Sequence, residues 1–187
     1  MKKLYITLIL YLISINIFSQ TSINDMHLVR WIILSNNIVE GTIVKINDSN
    51  FILKVNKNLK GNVKSDSIIV SKELICKKYA NYKLNTSGIW ILFKNGFQYY
   101  LKGRGKSVFY NATNDFFYSP IFGKCSFNNF YDVAKKSSEL FEINKISNKI
   151  IQKADDNTIN EFAKKSSFHK YFINNAKKIV ENDKQKK

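Results

Sequence analysis

Four groups of residues in this 187-residue chain have side chains of the kind that chemistry needs. Lys102-Gly103-Arg104-Gly105-Lys106 is a glycine-rich basic loop, whose amides and cations, Arg104 and Lys106 above all, can hold a phosphate or sulfate group. It lacks the Walker spacing and follows a strand without opening a helix, which favours a turn over a nucleotide cradle; if the chain binds an anion, this is where to look first. Cys76 and Cys125 are the only cysteines. One disulfide between them would close a long loop and contribute at most about 4 kcal/mol, whereas two cysteines far apart in sequence supply no zinc site. His27 and His169 fall in separate predicted helices, neither within HExxH nor beside a nucleophile motif, so metal ligation and general-base catalysis lack convergent partners. Trp90 and Tyr100 belong to an aromatic-rich hairpin and can either stack a sugar or base or lie beneath helices. No cofactor set and no G-x-S-x-G elbow is legible, so the chain is expected not to be an enzyme.

These side chains must be positioned by strands. From Phe51 to Val70 the sequence FILKVNKNLKGNVKSDSIIV alternates, with Phe51, Leu53, Val55 and Leu59 on one face, and it reverses at Lys60-Gly61-Asn62. Lys57 interrupts the inner row and can lay its methylenes along the sheet with its ammonium in water. Ile38 to Ile46 reads as an earlier strand with Gly41 marking a bulge or bend. Ile89 to Leu101, IWILFK-NG-FQYYL, reads as a hairpin with Asn95-Gly96 in a type I′ turn. The expected inner row is Ile91, Phe93, Phe97, Tyr99 and Leu101, with Trp90 and Tyr100 facing the other way. Val108 to Tyr110 adds a sixth strand, and five or six strands at this spacing suit a small closed barrel.

Ahead of the strands, Asn24-Asp25 can cap a short helix carrying Leu28, Trp31 and Ile32. Beyond them the period changes. Phe130, Val133, Ala134, Leu140 and Phe141 recur at helical spacing, predicting one or two helices from Asn128 to Gln152. Thr158-Ile159-Asn160-Glu161 reads as a capping box opening a final helix with Phe162, Phe172, Ile173, Ala176, Ile179 and Val180 on one side. The expected fold class is therefore α+β, with a signal peptide over residues 1–20, a barrel with a short N-terminal helix over 21–127, and a helical extension over 128–187.

Lys2 and Lys3 followed by an apolar run from Leu4 to Phe18, then Ser19 and Gln20, have the layout of a secretory leader, and the run is short of the roughly 20 residues a spanning helix requires. Export to the periplasm or the medium, with no membrane span after cleavage, is the expectation. The formal charge is +16, and removal of Lys2 and Lys3 with the leader leaves 28 basic residues against 14 acidic ones. Only Arg30 and Arg104 are arginines, the residue whose planar fork suits phosphate and guanine, so the charge speaks against a nucleic-acid partner and for solvated lysines.

Val39-Glu40-Gly41-Thr42-Ile43-Val44, Phe51 to Val55, Leu59-Lys60-Gly61, Ile68 to Val70, Cys76 and Ile89 to Phe93 together resemble the netrin-like module, the OB-type barrel shared by tissue inhibitors of metalloproteinases and many small exported bacterial proteins. The likeness covers about residues 37–102. It implies an OB-like antiparallel barrel with a role in extracellular interaction. It does not extend to the inhibitors' zinc-chelating N-terminal cysteine, since the expected mature end here is Gln20 or Thr21. An exported, non-enzymatic binding or protein-interaction module is the resulting expectation, its partner a protein or an anionic glycan, with anion or carbohydrate binding through Arg104, Lys106, Trp90 and Tyr100 as the alternative.

Overall fold

The computed structural model describes residues 27–72, 83–101, 108–111, 116–119, 123–144 and 146–185. The expected leader, the expected cap at Asn24-Asp25, Cys76, Arg104 and Lys106 lie outside them. A helix over residues 27–34 (α1) leads into β1 (Asn37–Ile46), β2 (Asn50–Lys60), β3 (Ser67–Ser71), β4 (Ser87–Asn95) and β5 (Gln98–Leu101). These five strands close on themselves in the order β1-β2-β3-β5-β4-β1. Closure leaves no raw edge within the ring. The OB-like barrel expected from the sequence is present, but it is mixed and not wholly antiparallel, because β3 and β5 run parallel through Val70↔Tyr99 and Ser71↔Tyr100.

The alternation in β2 is what puts Phe51 and Leu53 inside, where they meet Val39, Ile43, Ile68, Val70, Trp90, Leu92 and Leu101. Curvature comes from β1, whose pairing with β2 slips at three places, one of them between Glu40 and Gly41. There the strands approach so closely that a Cβ on Gly41 would stand 2.7 Å from the Lys54 carbonyl oxygen and 2.9 Å from Leu53 Cγ. Only glycine fits that crossing.

β4 is apolar on both faces, as a continuous run of this kind requires. Trp90 and Leu92 point into the barrel, while Ile89, Ile91 and Phe93 point out and are buried under helices. The expected row is thus inverted along β4: Ile91 and Phe93 are outside the barrel and Trp90 is within it. The hairpin turn is also displaced by one residue. Asn95 pairs with Gln98, so Gly96-Phe97 forms the loop, with Gly96 alone at positive φ (+58°), which is the type II′ pattern. Phe97, expected in the core, sits at the tip with 99% of its surface exposed.

β6 (Val108–Asn111) pairs with the first half of β4, and β7 (Phe116–Ser119) and β8 (Gly123–Ser126) extend the sheet from it. α2 (Phe127–Leu140) follows directly. The stretch expected to continue as helix is instead a two-stranded hairpin, β9 (Phe141–Asn144) with β10 (Lys149–Gln152). Its turn explains why: Asn144 Oδ1 accepts from the Ile146 and Ser147 amides at 3.0 and 3.2 Å, and Asn148 takes φ +53°.

α3 (Asp156–Lys164) and α4 (Ser167–Gln185) complete the chain. The capping residue of α3 is Asp155, not Thr158, since Asp155 Oδ1 accepts the Thr158 N–H at 2.8 Å. The single helix expected here breaks at Ser166, whose carbonyl accepts the Lys170 amide (3.0 Å) and whose Oγ accepts the His169 amide (3.3 Å), starting α4 afresh. The buried faces of α1, α2, α3, α4 and β10 form one core with the outward side of β4. Two polar ties span it. Arg30 Nη2 donates to both Asp183 oxygens at 2.6 and 2.7 Å, and Lys60 Nζ donates to the last carbonyls of α1, those of Ile32 and Ile33, at 2.7 and 2.8 Å. Among the described residues, no helix is long and apolar enough to cross a membrane.

Candidate functional site

Among the described residues, those singled out by sequence do not converge. Trp90 is fully buried in the barrel, donating its indole N–H to the Gly41 carbonyl at 2.9 Å and tilting against Phe51, so it cannot stack a ligand from outside. Tyr100 lies on the opposite side of the wall, half-buried against Phe93 at 5.9 Å between ring centroids and packed on the core beneath the helices. Cys125 is a buried free thiol, pushed up to about 12 by burial, with Sγ donating to the Ser126 carbonyl. The expected disulfide is therefore not seen from the Cys125 side.

Among the described residues, what the barrel does present is the side turned away from the helical core. The core that holds the helices includes Ile38, Leu59, Ile89, Ile91 and Phe93, and no residue of β3. Across β1, β2 and β3 the register sets Lys45 beside Ile52 and Ile52 beside Ile69, with Lys54 beside Ser67. Ile69 is 55% exposed. The parallel step from β3 to β5 brings the β4–β5 tip alongside, and Ser49, Asn50, Ile69, Ser71 and Gln98 line a small depression of about 50 Å³ between them. The β1–β2 turn beside it is held in place. Asn47 N–H reaches the Asn50 carbonyl (2.9 Å), Asn47 Nδ2 reaches Asn50 Oδ1 (2.7 Å), Lys72 N–H reaches the Ser49 carbonyl (2.8 Å), and Lys72 Nζ donates to the Asn47 carbonyl. A rim fixed before binding avoids the ordering cost of association.

A second cluster joins α2 to the start of α4. His169, 2% exposed, has Nδ1 2.7 Å from Ser166 Oγ and Nε2 3.1 Å from Asp132 Oδ2, and Lys165 Nζ reaches the same oxygen at 2.8 Å. The Phe162 ring meets the imidazole edge-on at 4.6 Å. Burial draws His169 below its ordinary pKa despite the opposing carboxylate, so the ring is neutral at pH 7. For Asp132 burial works upward, but the hydrogen bonds from Lys165 and His169 together outweigh it and hold the carboxyl below the usual range. The sequence marked His169 but not this company. Ser166-x-x-His169 was readable as a pair at helical spacing; Asp132 lies on another helix and had no local signal.

His27, by contrast, is exposed and stacks on Trp31 at 5.9 Å. Among the described residues no group of three or more potential ligands could hold a metal ion. Searched against known proteins, the chain matches no family model, and no curated protein is significantly similar to it.

Proposed function

We propose that this protein is an exported interaction module that holds a protein partner on the side of its barrel turned away from the helical core, through the β1–β2–β3 face and the β4–β5 tip. The carrying observation is Phe97, 99% exposed on the tight two-residue turn that leads into Gln98, which lines the depression with Ile69 and the hydrogen-bonded β1–β2 turn. Single exposed apolar residues are ordinary on protein surfaces. An exposed aromatic at the tip of a tight turn, one residue from a depression lined by an exposed isoleucine, has the makeup of an interface anchor, because its two χ angles cost little to order and it buries much. The resemblance of residues 37–102 to the netrin-like module, with its extracellular interactions, points the same way, as does the leader-like N-terminus.

The test uses the exported full chain with a photo-reactive benzophenone side chain at position 97, and a control at position 178 on the exposed face of α4. Crosslinking at 97 but not at 178, abolished by Ile69→Lys, is expected; equal crosslinking at both positions would overturn the proposal. The recovered protein should also have lost its first 19 or 20 residues by intact mass. The exposed Lys45 and Lys54 on the same side, beside Ile52 and Ser67, favour an anionic glycan as a second reading. It predicts retention on heparin resin with a steep salt dependence, reduced in a Lys45→Ala, Lys54→Ala variant.

A further inference from the structure

Ser166, His169 and Asp132 make a continuous hydrogen-bonded chain from a half-exposed hydroxyl through a buried ring to a carboxylate. With the ring neutral, one placement of protons serves both contacts. The carboxylate only accepts, so Nε2 carries the hydrogen and Nδ1 offers its lone pair to the serine. A helix cap accounts for Ser166 Oγ accepting the His169 amide. It does not account for a buried imidazole on the same hydroxyl with an ionised carboxylate behind the ring. On its outer side Ser166 opens onto a surface depression of about 490 Å³, which it lines with Ala163, Lys164, Ser167, Lys170 and Asn174.

We propose that Ser166 is a nucleophile for acyl transfer, with His169 as its general base, acting on short carboxylic esters that carry an anionic group. This activity is separate from partner binding at the barrel. Ser166 Oγ bonds to the ester carbonyl carbon and its proton passes to His169 Nδ1. The tetrahedral adduct collapses, the carbon–oxygen bond to the alcohol breaks, and the departing alkoxide takes the Nδ1 proton. Water, deprotonated by Nδ1, then attacks the acyl-serine, releasing the carboxylic acid and restoring the hydroxyl. Asp132 is a positioning residue that fixes the ring and stabilises its transient positive charge, and Lys165 holds that carboxylate in turn. The ring works through Nδ1, the reverse of the familiar serine triads, and either nitrogen can act as base when the other is held by an acceptor. The N-terminal end of the 19-residue α4 favours negative charge where the oxyanion develops. Exposed Lys170 meets the anionic group; Lys164 is taken by Glu161 at 2.6 Å.

A fluorophosphonate probe tests this on the purified full chain, with the adduct located by peptide mass spectrometry. One phosphonyl group on Ser166, with fluoride released, is expected, together with a burst of one equivalent of p-nitrophenol from p-nitrophenyl acetate. Labelling should fall about 10²-fold in His169→Gln. Ser166→Asp keeps a good capping residue, so it should stay folded by circular dichroism and take no label. In Asp132→Asn the rate falls and the pH midpoint of labelling moves down, because the carboxylate raises the ring's affinity for a proton and its removal lowers that affinity; a packing role alone leaves that midpoint unmoved. If the folded wild-type chain labels Ser166 no faster than the urea-unfolded chain does, the serine is only a helix cap and the proposal fails.

Discussion

Gly41 and Trp90 depend on one another. The bulge at Gly41 brings the β1 backbone against Leu53 and Lys54, and the carbonyl it turns inward is the acceptor for the buried Trp90 indole N–H. Taking that acceptor from a buried indole N–H costs about 1–3 kcal/mol. Gly41→Ala should therefore do more than add a methyl group. The new carbon meets a backbone oxygen 2.7 Å away, which cannot rotate aside, so β1 must shift and loosen the Trp90 contact. We expect a loss of about 2–3 kcal/mol, seen as a lower urea midpoint with unchanged slope and a red-shifted Trp90 emission. Phe97→Ser, on a fully exposed side chain, should change the unfolding free energy by less than about 0.5 kcal/mol.

At the scale of elements, the period-two pattern from Phe51 to Val55 was legible because one face of that strand is core and the other is water. β4 was legible as a strand but not in its facing: both sides are buried, so alternation carries no information about which row is inside, and the helices that cover the outer row lie far along the chain. The hairpin at 141–152 was missed because Leu140 and Phe141 continue the spacing of α2, while the deciding asparagines, Asn144 and Asn148, act through turn chemistry that a periodicity count does not weigh. Thr-x-x-Glu at Thr158 fits the capping box, yet Asp155 three residues earlier is a better acceptor and also binds the Thr158 hydroxyl at 2.8 Å. The two readings separate by mutation. Asp155→Ala should cost about 1 kcal/mol in chemical denaturation, whereas Glu161→Ala, which loses only an exposed pair with Lys164, should cost a few tenths. The reverse ranking would restore the box.

For the whole molecule the question is whether barrel and helices unfold together. The helical core is also the outer wall of β4, so neither layer has a complete interior without the other. Arg30 and Asp183 fasten α1 to the end of α4, and Asp183 additionally accepts the Ile150 amide of β10 at 3.0 Å. Asp183 is 3% exposed and Arg30 30%, so Arg30→Ala withdraws a counter-charge from a buried carboxylate. About 3 kcal/mol is expected, near the low end for buried pairs because the arginine is partly in water, lowering Tm by roughly 6–12 °C. Adding Asp183→Asn to Arg30→Met should recover most of it, since the amide oxygen can still accept the Ile150 N–H and the buried carboxylate charge goes together with the Arg30 charge. The two tryptophans report on the two layers: Trp90 is inside the barrel and Trp31 is in α1. In an Arg30→Ala background, Trp31→Phe leaves Trp90 to follow the barrel while far-ultraviolet circular dichroism follows the helices. Coincident transitions are expected even in the weakened protein, because loss of the α1–α4 tie uncovers Ile89, Ile91 and Phe93 on a strand the barrel needs. A helical signal that melts before Trp90 emission changes would mean the barrel holds its outer row without the helices.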